Sequence, residues 1–338
     1  MEKESIILAI ESSCDDTGIA ILKGKKVLAN LVANQKIHEQ YGGVVPELAS
    51  RAHQQNIIPT LEASLRIAGL SLTEIDAIAF TRGPGLIGSL MVGVTFAKGL
   101  SLALGKPLIE VNHIHAHLLA HLIEEEGTAN PSFPFLCLTV SGGHTQIVLA
   151  QSPNQLEIIG ETTDDAAGEA FDKAAKILGL PYPGGPLIDQ FGKEGNPKAF
   201  EFPIPQIPDF NFSFSGLKTS MLYFVRDKTK LDPTFVEKNL SDICASYQYT
   251  IVRFLLQKLK KAAKQYGIKE VAIAGGVSAN SLLRKELEIL GEKEEWNTYI
   301  PKFEYCTDNA AMIGIAAYFK NQAGEFAALS ITPSARID

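Results

Sequence analysis

Histidines are the residues in this chain whose spacing most clearly suggests chemistry. Five of the seven lie between positions 113 and 144. His113, His117 and His121 recur every fourth residue, so on a helix they share one face, while His115 points elsewhere. Two imidazoles one turn apart can bind one divalent metal ion, and a distant carboxylate would complete a two-histidine, one-carboxylate site. Spacing alone does not identify that carboxylate, and a polar helix face or hydrogen-bonded core histidines remain the alternative.

Two familiar site motifs are incomplete. A zinc protease of the HExxH type needs Glu after the first histidine, but Ile114 and Leu118 follow His113 and His117. A GxGxxG pattern ends at Gly88, but it follows the third strand rather than the first, and Pro84 removes one loop N–H. Neither a metalloprotease nor a dinucleotide-binding protein is therefore indicated.

Glycine-rich turns suggest binding of an anion. SGGHTQ (141–146) lies between two predicted strands, and the backbone N–H groups of Ser141–Gly143 are expected to face an anion. AGGVSAN (274–280) joins a strand to a helix, where the helix start favours phosphate. Asp172 is a candidate for hydrogen bonding to a ribose. For Asp308, capping of the following helix is the simpler interpretation.

The segment 200–220 is rich in phenylalanine and contains Lys218. These side chains could stack on bases, with the lysine on phosphate, although such phenylalanines more often pack a loop onto the core. The wider segment 181–216 contains seven prolines and is expected to be a long insertion.

The elements that must position these residues form a repeated pattern. Strands are predicted at 6–11 and 18–22, joined by SSCDDT, and again at 135–140 and 146–150, joined by SGGHT. A strand, glycine turn and helix follow in each half. Helices are predicted at 46–68, at 86–104 as a buried apolar helix, and at 112–126 around the histidines. The pattern predicts a duplicated α/β domain with a cleft between the copies.

Composition narrows the partners and the compartment. With 31 basic and 38 acidic residues among 338, the net charge is −7, so the chain does not hold nucleic acid by bulk charge. Its four cysteines are scattered, which is typical of a reducing cytoplasm rather than of a disulfide framework or structural zinc site. No uninterrupted apolar run is long enough for a membrane span, and no signal sequence is recognised.

Ten motifs in order along the chain resemble those of the TsaD family. They are ESSCDDT, YGGVVPELASR, the GPGL turn, the HxxxH helix, VSGGHTQ, DDAAGEAFDK, YPGGP, FSFSGLKT, AGGVSAN and CTDN. The resemblance covers about residues 5 to 335. It implies an α/β fold of the actin/Hsp70/sugar-kinase-like (ASKHA) type with two duplicated lobes and a central cleft. The N-terminal lobe is expected at 1–127, completed by about 308–338, and the C-terminal lobe at 128–307.

The resemblance also implies an activity and its partners. Family members transfer a threonylcarbamoyl group from threonylcarbamoyl-AMP to N6 of adenosine 37 in tRNAs that read ANN codons. They hold one divalent metal ion, commonly iron and sometimes zinc. Bacterial members work with TsaB and the ATPase TsaE, and a TsaC-type synthase makes the donor. A small-molecule kinase of the same fold, or a non-catalytic protein like TsaB, remains the alternative.

Site residues follow from the resemblance position by position. The implied metal ligands are His113, His117 and Asp308. The implied substrate-binding residues are Thr139, Val140, Ser141, Gly142, Gly143, Asp172, Gly185, Asp189 and Asn280. No general base is evident, and Glu11, Asp15 and Asp16 are the candidates.

The chain departs from its relatives at two positions. Archaeal and eukaryotic members have tyrosine where Thr139 stands, which leaves the fourth protein ligand of the metal open. Many bacterial members have glutamate where His115 stands between the two metal histidines.

Overall fold

The computed structural model describes residues 4–336, except 36, 37, 39, 40 and 42. The chain packs as two compact units. The first comprises Met1–Asn130 and Pro301–Asp338, and the second comprises Pro131–Ile300. Each unit has its own five-stranded sheet and its own apolar core.

The first unit is built on a mixed sheet whose central strands are almost entirely apolar and buried. This is expected for strands that are covered by helices on both faces. The strand order is β3-β2-β1-β4-β5, with β1, β2 and β3 antiparallel and β4 and β5 parallel to β1. The strands are β1 (Ile6–Glu11), β2 (Thr17–Lys23), β3 (Lys26–Ala33), β4 (Ala77–Gly83) and β5 (Leu108–Asn112).

Helices of the first unit include two contributed by the C-terminal part of the chain. Close approach of the last helix to the sheet depends on two glycines. A Cβ on Gly314 would lie 2.2 Å from Leu22 Cδ1, and one on Gly18 would lie 3.0 Å from the Ala310 nitrogen. The helices are α1 (Pro46–Ala68), α2 (Ile87–Leu104), α3 (His113–Leu119), α9 (Phe303–Cys306) and α10 (Ala310–Ala323).

The second unit repeats this plan. Its strand order is β10-β9-β6-β7-β8, again with three antiparallel strands followed by two that are parallel to the first. The strands are β6 (Phe135–Val140), β7 (Thr145–Ser152), β8 (Gln155–Glu161), β9 (Glu270–Ala274) and β10 (Asn297–Tyr299). The helices are α4 (Ala167–Ile177), α5 (Gly184–Gly192), α6 (Ser215–Leu231), α7 (Phe235–Tyr266) and α8 (Ser281–Glu294).

The duplication predicted from the sequence is confirmed by the two sheets. Strands β1 to β5 correspond in order and direction to β6 to β10. Both predicted hairpins are present, with Glu11 opposite Gly18 in one and Val140 opposite Thr145 in the other. The two turns that carry candidate site residues therefore occupy equivalent places in the two units.

The helix predicted at 112–126 is shorter than expected. The α-helix ends at Leu119, a 3₁₀ turn covers Ala120–Leu122, and Ile123 is extended. His121 therefore lies outside the α-helix that carries His113 and His117. The apolar residues continue at helical spacing past residue 119, which is why a longer helix was predicted. The chain instead tightens into a 3₁₀ turn, where the α-helical repeat ends.

The apolar helix predicted at 86–104 is present as α2, but only a third of its residues are buried. Leu90, Val94 and Ala97 face the core, whereas Met91 and Leu102 are exposed. Among the described residues, α2 is the one helix long and apolar enough to cross a membrane, a criterion that core helices also meet.

The phenylalanine-rich segment is part of the core of the second unit. Phe202, Phe210, Phe212 and Phe214 are buried, and Phe212 and Phe214 both pack edge-on against Phe254 of α7. Their rings are therefore occupied by packing, which agrees with the structural interpretation of this segment rather than with base stacking.

Candidate metal centre and substrate-binding turns

Three side chains of the first unit converge as potential metal ligands. His113 and His117 lie one turn apart on α3, and Asp308 lies just before α10. Oδ1 of Asp308 is 3.3 Å from Nε2 of His113 and 3.2 Å from Nε2 of His117. The three ligand atoms all lie within 4.8 Å of one another. Asn112, the N-cap of α3, accepts hydrogen bonds from the nitrogens of Ile114 and His115 and fixes the start of the helix.

The donor set fits a divalent transition metal. Two nitrogen donors and one carboxylate suit zinc or iron and leave coordination positions open. Two ligand atoms, each 2.0–2.1 Å from a tetrahedral zinc ion, are about 3.3 Å apart. The observed separations of 3.2 and 3.3 Å match this spacing. These residues could therefore hold a metal ion with little movement.

Each charged side chain at the centre shifts the pKa of its neighbours. Burial alone would lower the pKa of His113, but the carboxylates of Asp308 and Glu11 raise it well above its ordinary value. Burial would raise the pKa of Asp308, yet the facing imidazoles of His113 and His117 hold it far below the usual range. The carboxylate is thus kept ionised, which is the form that binds a metal.

Behind His113 lies a buried carboxylate. Oε2 of Glu11 is 3.1 Å from Nδ1 of His113 and accepts a hydrogen bond from the Thr81 hydroxyl at 2.6 Å. Oε1 accepts from the Ser13 nitrogen at 2.5 Å. The Ser13 hydroxyl also lies 3.2 Å from His113 Nδ1. Glu11 is fully buried, so its environment differs from that of the half-buried Asp15 and Asp16.

The turn that holds these two aspartates is fixed from α1. His53 is fully buried, with Nδ1 2.8 Å from the Thr17 hydroxyl and Nε2 3.1 Å from the Cys14 carbonyl. Burial, followed by the neighbouring Asp15 charge, raises the pKa of Asp16 to about 7. Burial also raises the pKa of Cys14, so its thiol stays protonated and is a poor nucleophile.

The other histidines of this region are not part of the cluster. His115 is half-buried, and burial together with the Lys320 charge lowers its pKa. His121 lies in the 3₁₀ turn beyond α3. Among the described residues, only His113, His117 and Asp308 form a group able to hold a metal ion.

In the second unit, residues 139–143 form the end of β6 and the following turn. Thr139 and Val140 are buried in the sheet, whereas Gly142 and Gly143 are exposed. The expectation that all three N–H groups of Ser141–Gly143 face an anion is wrong for Ser141. Its N–H donates to the His144 carbonyl at 2.8 Å, which closes the hairpin turn. Within the described chain, the N–H groups of Gly142 and Gly143 have no such partner.

Glycines around this turn play two different roles. At Gly142, Gly143 and Gly276, an added Cβ would meet nothing within 4 Å, so the backbone borders open space. At Gly168 and Gly275, a Cβ would lie 2.6 Å from the Ser141 oxygen and 2.5 Å from the Val140 oxygen. The second pair allows α4 and the turn after β9 to pack against β6. The first group leaves room for a ligand on the backbone.

Apart from Asn280, the remaining predicted substrate residues of this unit form two hydrogen-bonded groups. Oδ1 of Asp172 accepts from the nitrogens of Gly184 and Gly185 at 2.9 and 3.1 Å. Oδ1 of Asp189 accepts from the nitrogen and hydroxyl of Ser281.

Asn280 precedes Ser281 but makes hydrogen bonds of its own. It caps α8 through Leu283 and donates to Gln248 at 2.8 Å. These side chains hold the turns and helix starts in place. For Asp172, burial raises the pKa of the carboxyl.

Sequence reasoning missed the partners of the predicted residues. Thr81, which holds Glu11, and Gln248, which holds Asn280, lie outside the recognised motifs. Ser13 lies in ESSCDDT, but the motif gave it no role. The one available signal was Glu11 itself, a charged residue at the end of the otherwise apolar strand IILAIE. A buried charge at a strand end indicates a partner but does not identify it.

The family model and the similar curated proteins all carry the same name. The family model of TsaD, tRNA N6-adenosine threonylcarbamoyltransferase, matches residues 26–315. The tRNA N6-adenosine threonylcarbamoyltransferase of Christiangramia forsetii is 63% identical over 330 residues, covering 98% of this chain and 97% of the relative. The protein of the same name from Porphyromonas gingivalis is 56% identical over 339 residues, covering 100% and 99%.

Solved structures with low sequence identity share the fold. Full-length HypF, in its phosphate- and nucleotide-bound form, superposes with a TM-score of 0.66 at 14% identity. The match covers 97% of this chain and 48% of HypF. Component A of (R)-2-hydroxyglutaryl-CoA dehydratase from Acidaminococcus fermentans gives 0.54 at 15% identity and covers 94% and 99%.

These likenesses confirm the predicted ASKHA-type α/β fold. The family match and the relatives establish that the protein is a transferase of tRNA modification. The chain belongs to the TsaD family of tRNA N6-adenosine threonylcarbamoyltransferases.

Proposed function

We propose that this protein transfers the threonylcarbamoyl group from threonylcarbamoyl-AMP to N6 of adenosine 37 in tRNAs that read ANN codons. The observation that carries the proposal is the convergence of His113, His117 and Asp308 at metal-ligand spacing in a member of this family. In the reaction, the N6 nitrogen bonds to the carbamoyl carbon. The bond from that carbon to the phosphate oxygen breaks, AMP leaves, and N6 loses a proton.

One divalent metal ion, iron or alternatively zinc, is proposed at the three ligands. When bound, such an ion supplies a Lewis acid that polarises donor oxygens. Asp308 remains ionised for this role because two imidazoles face it. Orientation of His113 is fixed by its hydrogen bond on the opposite side of the ring.

Binding of the donor is assigned to the second unit. We propose Thr139, Val140, Ser141, Gly142, Gly143, Asp172, Gly185, Asp189 and Asn280 as the substrate-binding set. The open backbone at Gly142, Gly143 and Gly276 supports this assignment, because a planar base or a phosphate can approach a chain that has no Cβ. The partnerless N–H groups of Gly142 and Gly143 would donate to an anionic oxygen.

A base is needed to take the proton from N6, and Asp16 is the best candidate. A general base works best when its pKa lies near the working pH, and burial raises the pKa of Asp16 to about 7. Glu11 is excluded from direct contact with substrate by its complete burial. Asp15 is half-buried in the same turn and is the second candidate for this base.

Partner proteins are expected to help the chain bind tRNA. A net charge of −7 means that the isolated chain should bind tRNA weakly and with a steep dependence on salt. We propose TsaB and TsaE as complex partners and a TsaC-type enzyme as the source of the donor, all acting in the cytoplasm. Exposed apolar side chains on α2, namely Ile87, Met91 and Leu102, support docking of a protein partner.

The test is a reconstituted transfer assay. The protein is incubated with its partners, labelled threonine, bicarbonate, ATP and unmodified tRNA. Label should reach adenosine 37 with the wild-type chain. Absence of label in tRNA would overturn the transferase proposal. Transfer of phosphate from ATP to a small molecule would instead favour the kinase alternative. Tight tRNA binding by the isolated chain at high salt would contradict the role of partners.

A further inference from the structure

We infer that Glu11 is a positioning residue that orients His113 and selects its tautomer for metal binding. The inference deepens the proposed function, because it rests on the metal site at His113, His117 and Asp308. Glu11 lies at the C-terminal end of β1, and His113 begins α3 directly after β5. Two separate strands of one sheet thus bring the carboxylate and the imidazole together.

Both carboxylate oxygens of Glu11 have partners. Oε1 accepts from the Ser13 nitrogen, and Oε2 accepts from the Thr81 hydroxyl and faces His113 Nδ1. With no exposed surface, the carboxylate cannot reach a substrate. A base must contact the proton that it removes, so the role of Glu11 acts through His113.

The tautomer follows from this contact. A carboxylate accepts hydrogen bonds, so when His113 is neutral, as metal binding requires, its proton is held on Nδ1. The lone pair is then on Nε2, on the side of the ring that faces Asp308 Oδ1. Metal-binding histidines commonly donate their second N–H to a carboxylate, which fixes the ring and raises its basicity. Thr81 and the Ser13 nitrogen in turn fix the carboxylate.

The other histidine provides an internal comparison. Nδ1 of His117 is buried and has no hydrogen-bond partner among the described residues. Its ring packs perpendicular to that of His113, with centroids 4.8 Å apart. Of the two histidine ligands, His113 is therefore the one that a second carboxylate orients from behind the ring. A change at Glu11 should act on His113 and not on His117.

Glutamine cannot replace Glu11 in this network. Both carboxylate oxygens face donors, so the amide NH₂ must meet one of them. Turned toward Ser13, it would meet a backbone N–H. Turned toward His113, it would require Nδ1 to accept, which moves the proton to Nε2 and removes the lone pair that binds the metal. The first orientation sets two donors against each other and displaces the side chain that orients His113, and the second reverses the tautomer. Both therefore weaken metal binding, and neither leaves a cavity.

The experiment measures zinc affinity of the full chain by competition with a chromophoric chelator, with no transfer assay involved. Glu11→Gln should raise the zinc dissociation constant about 10- to 100-fold. Thr81→Val should give a smaller increase, and Thr81→Ser, which keeps the hydroxyl, should restore wild-type affinity. Glu110→Gln is the matched control. It makes the same chemical change on β5, where the carboxylate pairs with Arg82. Its zinc affinity should match wild type.

Outcomes separate this inference from the proposed function. His117→Ala tests the metal site itself, and unchanged zinc affinity in that variant would overturn the site and the inference with it. Loss of zinc in His117→Ala together with wild-type affinity in Glu11→Gln would overturn the role of Glu11 alone. Absence of tRNA transfer by the wild-type chain would not affect the zinc measurements. Thermal unfolding of each metal-free variant verifies folding, and Thr81→Val and Thr81→Ser decide the question if Glu11→Gln unfolds.

Discussion

The two units have the same sheet and place a turn at the same position, yet the turns differ in chemistry. In the first unit, SSCDD (12–16) joins β1 to β2, carries two aspartates and follows the buried Glu11. In the second, SGGH (141–144) joins β6 to β7 and has no carboxylate, and its two glycines border open space. The same hairpin plan therefore places a buried carboxylate beside His113 in the first unit and a turn suited to an anion in the second. Topology decides where a site can form, and the side chains decide which ligand it takes.

The comparison also shows where the duplication ends. After β5, the first unit continues into α3, which carries the two histidines. After β10, the chain returns to the first unit and supplies Asp308 and α10. Asp308 therefore reaches His117 across 191 positions of sequence. The candidate metal ligands therefore lie on segments that differ between the two units, not on the repeated sheet.

The largest effect is expected from removing the cation ligands. His113→Ala combined with His117→Ala deletes two of three donors, so metal affinity should fall by more than about 100-fold and transfer to tRNA should cease. Binding of AMP, which is assigned to the second unit, should persist in calorimetry. His115→Ala, on the same short helix but outside the cluster, is the control and should retain the metal. Retained transfer by the double variant would remove the metal from the reaction.

Substitutions of glycines in the second unit should have smaller effects, one on ligand binding and the other on stability. Gly143→Ala should leave the free energy of unfolding within about 0.5 kcal/mol and weaken AMP binding about tenfold, because the new methyl group occupies ligand space. Gly275→Ala should cost about 2 kcal/mol or more, since φ is +84° and Val140 lies in the way. Denaturant unfolding and calorimetry measure both. An equal loss of stability in the two variants would contradict the two roles.

The smallest effect concerns the acidic turn of the first unit. Because burial raises the pKa of Asp16 to about 7, the fold favours its neutral form, and its charge weakens stability as pH rises. Asp16→Asn should therefore raise Tm relative to wild type, with a gain that grows from about pH 4 to pH 7 and then stays constant.

Asp227 serves as the control for Asp16. It is exposed, and its hydrogen bond with Arg226 lowers its pKa. Asp227→Asn should give no gain that grows over this pH range. A pH-independent difference between wild type and Asp16→Asn would contradict the raised pKa of Asp16.

Much of the fold could be predicted from local patterns. Apolar runs bounded by turn residues located β1, β6 and α1, because burial and turn chemistry act over a few residues. The restart of the pattern after residue 130 predicted the duplication. The predicted length of α3 and the predicted burial of α2 were wrong. Where a helix ends and which of its faces is exposed depend on what packs against it.

The site divides in the same way. The sequence by itself determined that His113 and His117 share a helix face, that two glycine turns follow strands, and that the net charge excludes binding of RNA by bulk electrostatics. Ser141–Gly143 and Asp172 were candidates from the residues themselves. Asp308 as a metal ligand and the other predicted substrate-binding residues came from family resemblance, since no local spacing connects them. Only the tertiary structure decided that Glu11 faces His113, that Ser141 closes its own turn, and that Gly275 packs against Val140 whereas Gly143 borders open space. The physical reason is that hydrogen bonds and close contacts join atoms that are near in space, and the parallel strands of each sheet bring together segments that lie a hundred residues apart.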